Sequence, residues 1–90
     1  MRKRYFILVE GRVQGVGFRY TMQMNAMNLQ LSGYAKNLEN GNVEIQVEGD
    51  EENLNKFIQL MLQGSRFIHV QDYSLKEIEC IHDHSFRVLG

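Results

Sequence analysis

The chain has 90 residues, 43% hydrophobic and 23% charged, which excludes a disordered segment and fits one ordinary globular domain over residues 1–90. Ten basic against 11 acidic residues leave a net charge of −1, which argues against nonspecific binding of nucleic acid. A single cysteine, Cys80, excludes an intrachain disulfide and fits a reducing compartment. The basic start Arg2-Lys3-Arg4 leads into an apolar run of only Tyr5 to Val9, with no small-residue cleavage site after it. No stretch approaches the roughly 20 apolar residues that span a bilayer. The expectation is a cytoplasmic protein with no membrane partner.

Tyr5 to Val13 opens as a strand that is apolar on both faces through Val9, as in the centre of a sheet. Gly11, Gly15 and Gly17 follow, and Phe18, Met22, Ala26 and Leu29 then recur at helical spacing, predicting a helix over Phe18 to Leu31. Met22, Met24 and Met27 read as core filler. Ser32-Gly33 breaks the helix, and Tyr34 to Leu38 reads as a short strand. Asn40-Gly41 is a strong hairpin signal. Val43, Ile45 and Val47 alternate with Glu44, Gln46 and Glu48, a strand with one wet face.

Asp50 reads as an N-cap, with Glu51 and Glu52 in the first helical turn. Leu54, Phe57, Ile58, Met61 and Leu62 fall on one helical stripe, and Gly64 reads as its C-terminal cap. An extended stretch runs from Phe67 to Ile78, with a slip near Asp72 that predicts a bulge or bend. Phe86 and Val88 suggest a last short strand. This order predicts an α+β, ferredoxin-like split βαβ sandwich (βαββαβ): an antiparallel sheet with two helices on one face. The first and second strands then run parallel, with the third between them.

Gln14-Gly15-Val16-Gly17-Phe18-Arg19 therefore sits at a strand-to-helix junction. Glycines let successive N–H groups converge, and a helix start adds unpaired donors, so the junction suits an anion such as phosphate. Arg19 is placed to close a two-pronged bond on it. The loop is neither a Walker loop nor a dinucleotide fingerprint, because no Gly-Lys-Ser/Thr follows and position 20 is Tyr. On spacing alone, a glycine-rich turn with a solvated arginine fits equally well. The second strand ends on the same side, so Asn37 faces either that cradle or its own turn.

Val9-x-Gly11-x-Val13-Gln14-Gly15-Val16-x-Phe18-Arg19 resembles the first signature of the acylphosphatase family. Gly33-Tyr34-Ala35-Lys36-Asn37, with Gly41-x-Val43 and Gly49, resembles the second. The resemblance implies hydrolysis of a small acyl phosphate to a carboxylate and inorganic phosphate. It implies a phosphate loop formed by Gln14, Gly15, Val16, Gly17, Phe18 and Arg19, an essential Arg19 and a water-positioning Asn37. It also implies a monomer that needs no metal and no cofactor. The chain departs from the pattern at Gln30, where the family often has Gly after the first helix, and in having no proline.

Other readings stay in view. His82-Asp83-His84 resembles a metal cluster, but two ligands do not make a zinc site and a polar turn fits it. Cys80 reads as a structural thiol, and Tyr34 and Tyr73 as packing residues with wet hydroxyls. The functional alternative is a non-catalytic ferredoxin-like module that binds an anion or a partner. Its RNA-binding form is disfavoured by Glu44, Gln46 and Glu48 on the wet face, and its form as part of a larger carbamoyl-transferring enzyme by the short chain.

Overall fold

The computed structural model describes residues Met1–Gly90. The elements are β1 (Arg2–Arg12), α1 (Phe18–Asn28), β2 (Ser32–Asn37), β3 (Val43–Asp50), α2 (Glu51–Gln63), β4 (His69–Ile78) and β5 (Phe86–Leu89). They form a five-stranded sheet in the order β4-β1-β3-β2-β5. β3 pairs antiparallel with both β1 and β2, so β1 and β2 run in the same direction on either side of it. This is the expected split βαβ arrangement. The terminal strand adds one feature: β5 pairs parallel with β2, so the sheet is mixed at that edge.

Alternation along the strands builds the core. Ile7, Val9, Val43, Ile45 and Val47 are fully or almost fully buried on the face that carries the helices. From α1 they receive Phe18, Met22 and Ala26, and from α2 Leu54, Phe57 and Met61. Phe57 also meets Phe86 of β5, with ring centroids 6.3 Å apart. Met24 and Met27, expected in the core, are instead 50% and 64% exposed. Only Met22 lies on the stripe that starts at Phe18, so helical geometry turns the other two outward.

Both helix ends follow from local chemistry. The Asp50 side chain accepts from the Glu52 N–H at 3.3 Å, the expected cap. α1 ends earlier than its apolar pattern suggests, in a Schellman motif: the Leu31 N–H donates to Ala26 O at 2.8 Å and the Gln30 N–H to Met27 O at 3.2 Å. The motif needs a left-handed residue, and Gln30 supplies it at φ 57°. The expected slip in β4 is also present. Glu10 pairs with Asp72 but Gly11 with Val70, which leaves Gln71 as the extra residue of a bulge.

The wet-face expectation holds for half-buried Glu44 and Gln46 but not for Glu48, which is 0% exposed. The connection from β4 to β5 must run from one sheet edge to the other, and it passes Glu48. The Ile81 and His82 N–H groups donate to the Glu48 carboxylate at 2.9 and 3.1 Å. Arg2 and Arg4 reach it at 2.6 and 3.1 Å. Burial by itself pushes this carboxyl up, but the Ile81 N–H and the two arginines outweigh it and hold it below the ordinary value. Asp83 completes the knot, 3.2 Å from Arg87 and 3.6 Å from Arg4. His82-Asp83-His84 is thus no strand: His82 is left-handed at φ 57°, and both histidines are exposed around a structural aspartate. The Tyr34 hydroxyl, expected to be wet, is partly buried and has a partner. It donates to Glu44, and burial first and that bond second push it up to about 12.

Candidate active site

β1 ends at Arg12, and six residues later α1 begins its run of helical turns at Phe18. Between them the backbone must reverse sharply. Gly15 and Gly17 permit this with φ of 75° and 78°, values that strain a residue bearing Cβ. Gly17 is the helix N-cap and offers no side chain to the first turn. None of the turn, loop and cap hydrogen bonds is donated by a main-chain N–H from Gln14 to Tyr20. A run of unpaired donors is thus gathered at the positive end of a helix dipole, the arrangement that favours an anion.

Asn37 stands at the end of β2, paired with Val43. Its Oδ1 is buried without a hydrogen-bond partner. Leaving a buried acceptor unsatisfied costs about 1 to 3 kcal/mol, so such an atom calls for a water or a ligand. The Gln14 side chain ties the loop to this strand end. Its Nε2 donates to Leu38 O and to Asn42 O, each at 2.8 Å. Gln14 was expected among the phosphate-binding residues; its side chain is committed to the hairpin, so its main-chain N–H is what it offers an anion.

Arg19 is half-buried, and its Nη1 donates to Leu89 O at 2.6 Å. The guanidinium is a planar fork with five donors, so one arm is anchored while others stay available. Gly90 lies close to Asn37: a Cβ built on it would come within 3.1 Å of Asn37 N. The end of β5 and the glycine after it therefore lie against both residues singled out from the sequence. The anchor on Leu89 is one that sequence reading misses, because a backbone carbonyl leaves no signature in residue identity.

Size does not mark this site. The largest concavity, about 880 Å³, lies at the other end of α1 and is lined by Gln30, Ser32, His82 and His84 among others. The concavity at the glycine loop is about 140 Å³ and is lined by Val13, Gly15, Gly17, Phe18, Arg19, Tyr20 and Val88. Of these two, the smaller one adjoins the run of unpaired N–H groups, and that chemistry makes it the candidate.

The acylphosphatase family model matches residues 5–88. An acylphosphatase of Clostridium beijerinckii is 51% identical over 72 residues, covering 80% of each chain. One of Clostridium acetobutylicum is 43% identical over 90 residues, 99% of each chain. The crystal structure of acylphosphatase from Bacillus subtilis superposes with a TM-score of 0.92 at 44% identity, over 98% of each chain. On fold and sequence together, the chain belongs to the acylphosphatase family and is an enzyme of that activity.

Proposed function

We propose that the acylphosphatase reaction is carried by the Gln14–Arg19 loop, with Arg19 and Asn37 in direct catalytic roles. The phosphoryl group of a small acyl phosphate sits on the main-chain N–H groups of Gln14, Gly15, Val16, Gly17, Phe18 and Arg19. The observation that carries this reading is their lack of any acceptor within the protein. Arg19 adds positive charge from the side, its orientation held by Leu89 O. Asn37 orients the attacking water through the Oδ1 that otherwise stands unpaired.

The chemistry is consistent with so spare a site. Water oxygen bonds to phosphorus, and the bond from phosphorus to the bridging oxygen breaks. The acyl group leaves as a carboxylate with the electron pair. Its conjugate acid has a pKa near roughly 4 to 5, as side-chain carboxyls do, so it departs without a general acid. The loose transition state of phosphoryl transfer asks mainly for positioning and for charge stabilisation on the equatorial oxygens. The loop and Arg19 supply the second, and Asn37 supplies the first. The proton of the water passes to a phosphate oxygen, which makes a metal or a protein base unnecessary. No helix is long and apolar enough to cross a membrane. The reading is completed by a single-domain monomer acting in the cytoplasm.

The test is hydrolysis of benzoyl phosphate, followed by ultraviolet absorbance in excess chelator, with folding checked by circular dichroism. Wild type should turn over, while folded Arg19→Ala and Asn37→Ala should lose most activity. Full activity in either variant would remove that residue from the mechanism. Loss of wild-type activity in chelator would contradict the metal-free step. A folded wild type that binds phosphate without turnover would leave the anion-binding module.

A further inference from the structure

The hairpin that begins at Asn37 turns through Glu39, Asn40 and Gly41, and Asn40 and Gly41 are both exposed. The Asn40 side chain is nevertheless held. Its Oδ1 accepts from the Asn42 N–H at 3.0 Å, an Asx turn. That bond folds the side-chain amide back over the peptide joining Asn40 to Gly41, which brings Cγ beside the Gly41 nitrogen. Gly41 has φ 95°, a conformation that suits glycine, and so carries no Cβ to obstruct the approach. The space around it is open: a Cβ built there would meet no atom within 4 Å.

An amide carbon, a nitrogen nucleophile beside it and an N–H donor on its oxygen make a reactive set. Once the Gly41 nitrogen gives its proton to hydroxide, it can bond to Asn40 Cγ. The oxyanion of that step forms on Oδ1, the atom that the Asn42 N–H already holds. The bond from Cγ to Nδ2 breaks, Nδ2 takes a proton from water and leaves as ammonia, and a succinimide ring remains. Water then opens the ring. Opening at Cγ gives aspartate, and opening at the main-chain carbonyl gives isoaspartate, in which the chain runs through Cβ and Cγ. The Gly41 N–H bond to Leu38 O opposes the attack, but at 3.2 Å it lies at the long limit of such bonds.

Asparagine is thermolabile in general, but the other asparagines lack this set. Asn25, Asn28, Asn53 and Asn55 sit in helices and Asn37 in a strand, where the main chain is held, and Asn42 precedes β-branched Val43. We propose that Asn40 is a site of spontaneous deamidation and that its isoaspartyl product slackens the active-site hairpin. The second half rests on the tie between Gln14 and the hairpin described above. Gln14 Nε2 grips Leu38 O and Asn42 O, the carbonyls on either side of the turn, and the Leu38 N–H closes the turn on Asn42 O at 2.9 Å. Isoaspartate adds a main-chain carbon between those carbonyls, so these bonds lose their spacing. Aspartate leaves the main chain unchanged and keeps an acceptor for the Asn42 N–H.

The experiment holds the folded protein, and the same chain unfolded in guanidinium chloride, at mildly alkaline pH. Peptide mass spectrometry, with fragmentation that separates aspartate from isoaspartate, follows each asparagine. Residue 40 should convert before every other asparagine, at least as fast in the folded protein as in the unfolded chain, and faster as pH rises. The isoaspartyl fraction, isolated by chromatography, should show a kcat on benzoyl phosphate lower by roughly 5-fold, the factor of one lost hydrogen bond. Asn40→Asp should keep the wild-type kcat, and Asn40→Ser should keep it throughout the incubation while wild type declines. Slower conversion in the folded protein than in the unfolded chain would mean that the turn protects the amide, which overturns the site. A fully active isoaspartyl fraction beside an impaired Gln14→Ala overturns the slackening alone. Full activity in both overturns the slackening and the Gln14 tie together, while the mass data decide the site itself.

Discussion

The two ends of the sheet differ in how far their polar groups are paired, and charge makes the difference. At the Glu48 end every charge is answered: one buried carboxylate is met by Arg2, Arg4 and two main-chain N–H groups, and Asp83 by Arg87 and Arg4. At the Asn37 end a run of N–H donors and one buried side-chain oxygen stand unpaired, whereas the Glu48 end leaves one neutral group unpaired, the buried hydroxyl of Ser32. Both ends are cut from the same strands, so fold alone does not explain the contrast. A small domain is only marginally stable and does not leave polar groups unmatched without cause. In the proposed reading, the ion-paired end holds the molecule together, while the loop and Asn37 are matched by substrate.

This contrast predicts that substitutions at one end change activity and at the other change stability. The largest effect is expected at Arg19. Removing an oxyanion-type donor typically costs about 3 to 4 kcal/mol of barrier, so Arg19→Ala should lower kcat at least a hundredfold. Its melting temperature should stay near that of wild type, because the Leu89 O it releases is open to water. Stopped-flow or steady-state kinetics beside thermal melts would check both halves. A large drop in melting temperature would blur the division.

Glu48→Gln should do the reverse. Breaking a buried ion pair from one side costs about 3 kcal/mol or more, read as a lower urea midpoint, with kcat per folded molecule unchanged. pH sharpens this. The folded-state value of Glu48 lies below its ordinary 4.5, so its contribution is fully present above that value and lost as pH falls below it. Wild type should therefore lose stability steeply below about pH 4.5, and Glu48→Gln should show a shallower acid slope in the same range. Parallel slopes would show that other carboxylates govern acid unfolding.

Gln14 stands between the two classes, since its side chain is structural and its main chain belongs to the loop. Gln14→Ala deletes two hydrogen bonds to the hairpin and should cost about 1 to 2 kcal/mol, with a several-fold loss of kcat as the loop loosens. If activity falls as far as in Arg19→Ala, the side chain itself meets substrate. The smallest effect is expected at Gln30, remote from the loop. A non-glycine residue in the left-handed conformation costs roughly 1 kcal/mol, so Gln30→Gly should raise the melting temperature by a few degrees without changing activity. A lower melting temperature would mean that the Gln30 side chain holds more than its φ of 57° suggests.

Much of this was readable in the residues. Periodicity is local, so the strands and helices could be placed from alternation and from the Phe18 and Leu54 stripes. The glycine loop was legible because positive φ demands glycine, and Asp50 because a cap has a residue type. What escaped the sequence is nonlocal. Glu48 alternates like a wet-face residue and becomes buried only because a connection some 30 residues away passes over it. The same crossing delivers β5 to the far edge in parallel pairing and brings Leu89 O to Arg19. Met24 and Met27 looked like core from composition, and only their angle around α1 turns them outward.

The contrast between the ends is tested most directly by titrating inorganic phosphate into the labelled protein and following amide chemical shifts. The account predicts saturable shifts concentrated at Gln14 to Arg19 and at Asn37, little change at Ile81 and His82, and loss of the response in Arg19→Ala. Shifts centred instead on the groove near Ser32, His82 and His84, or no saturable response at the loop, would contradict it.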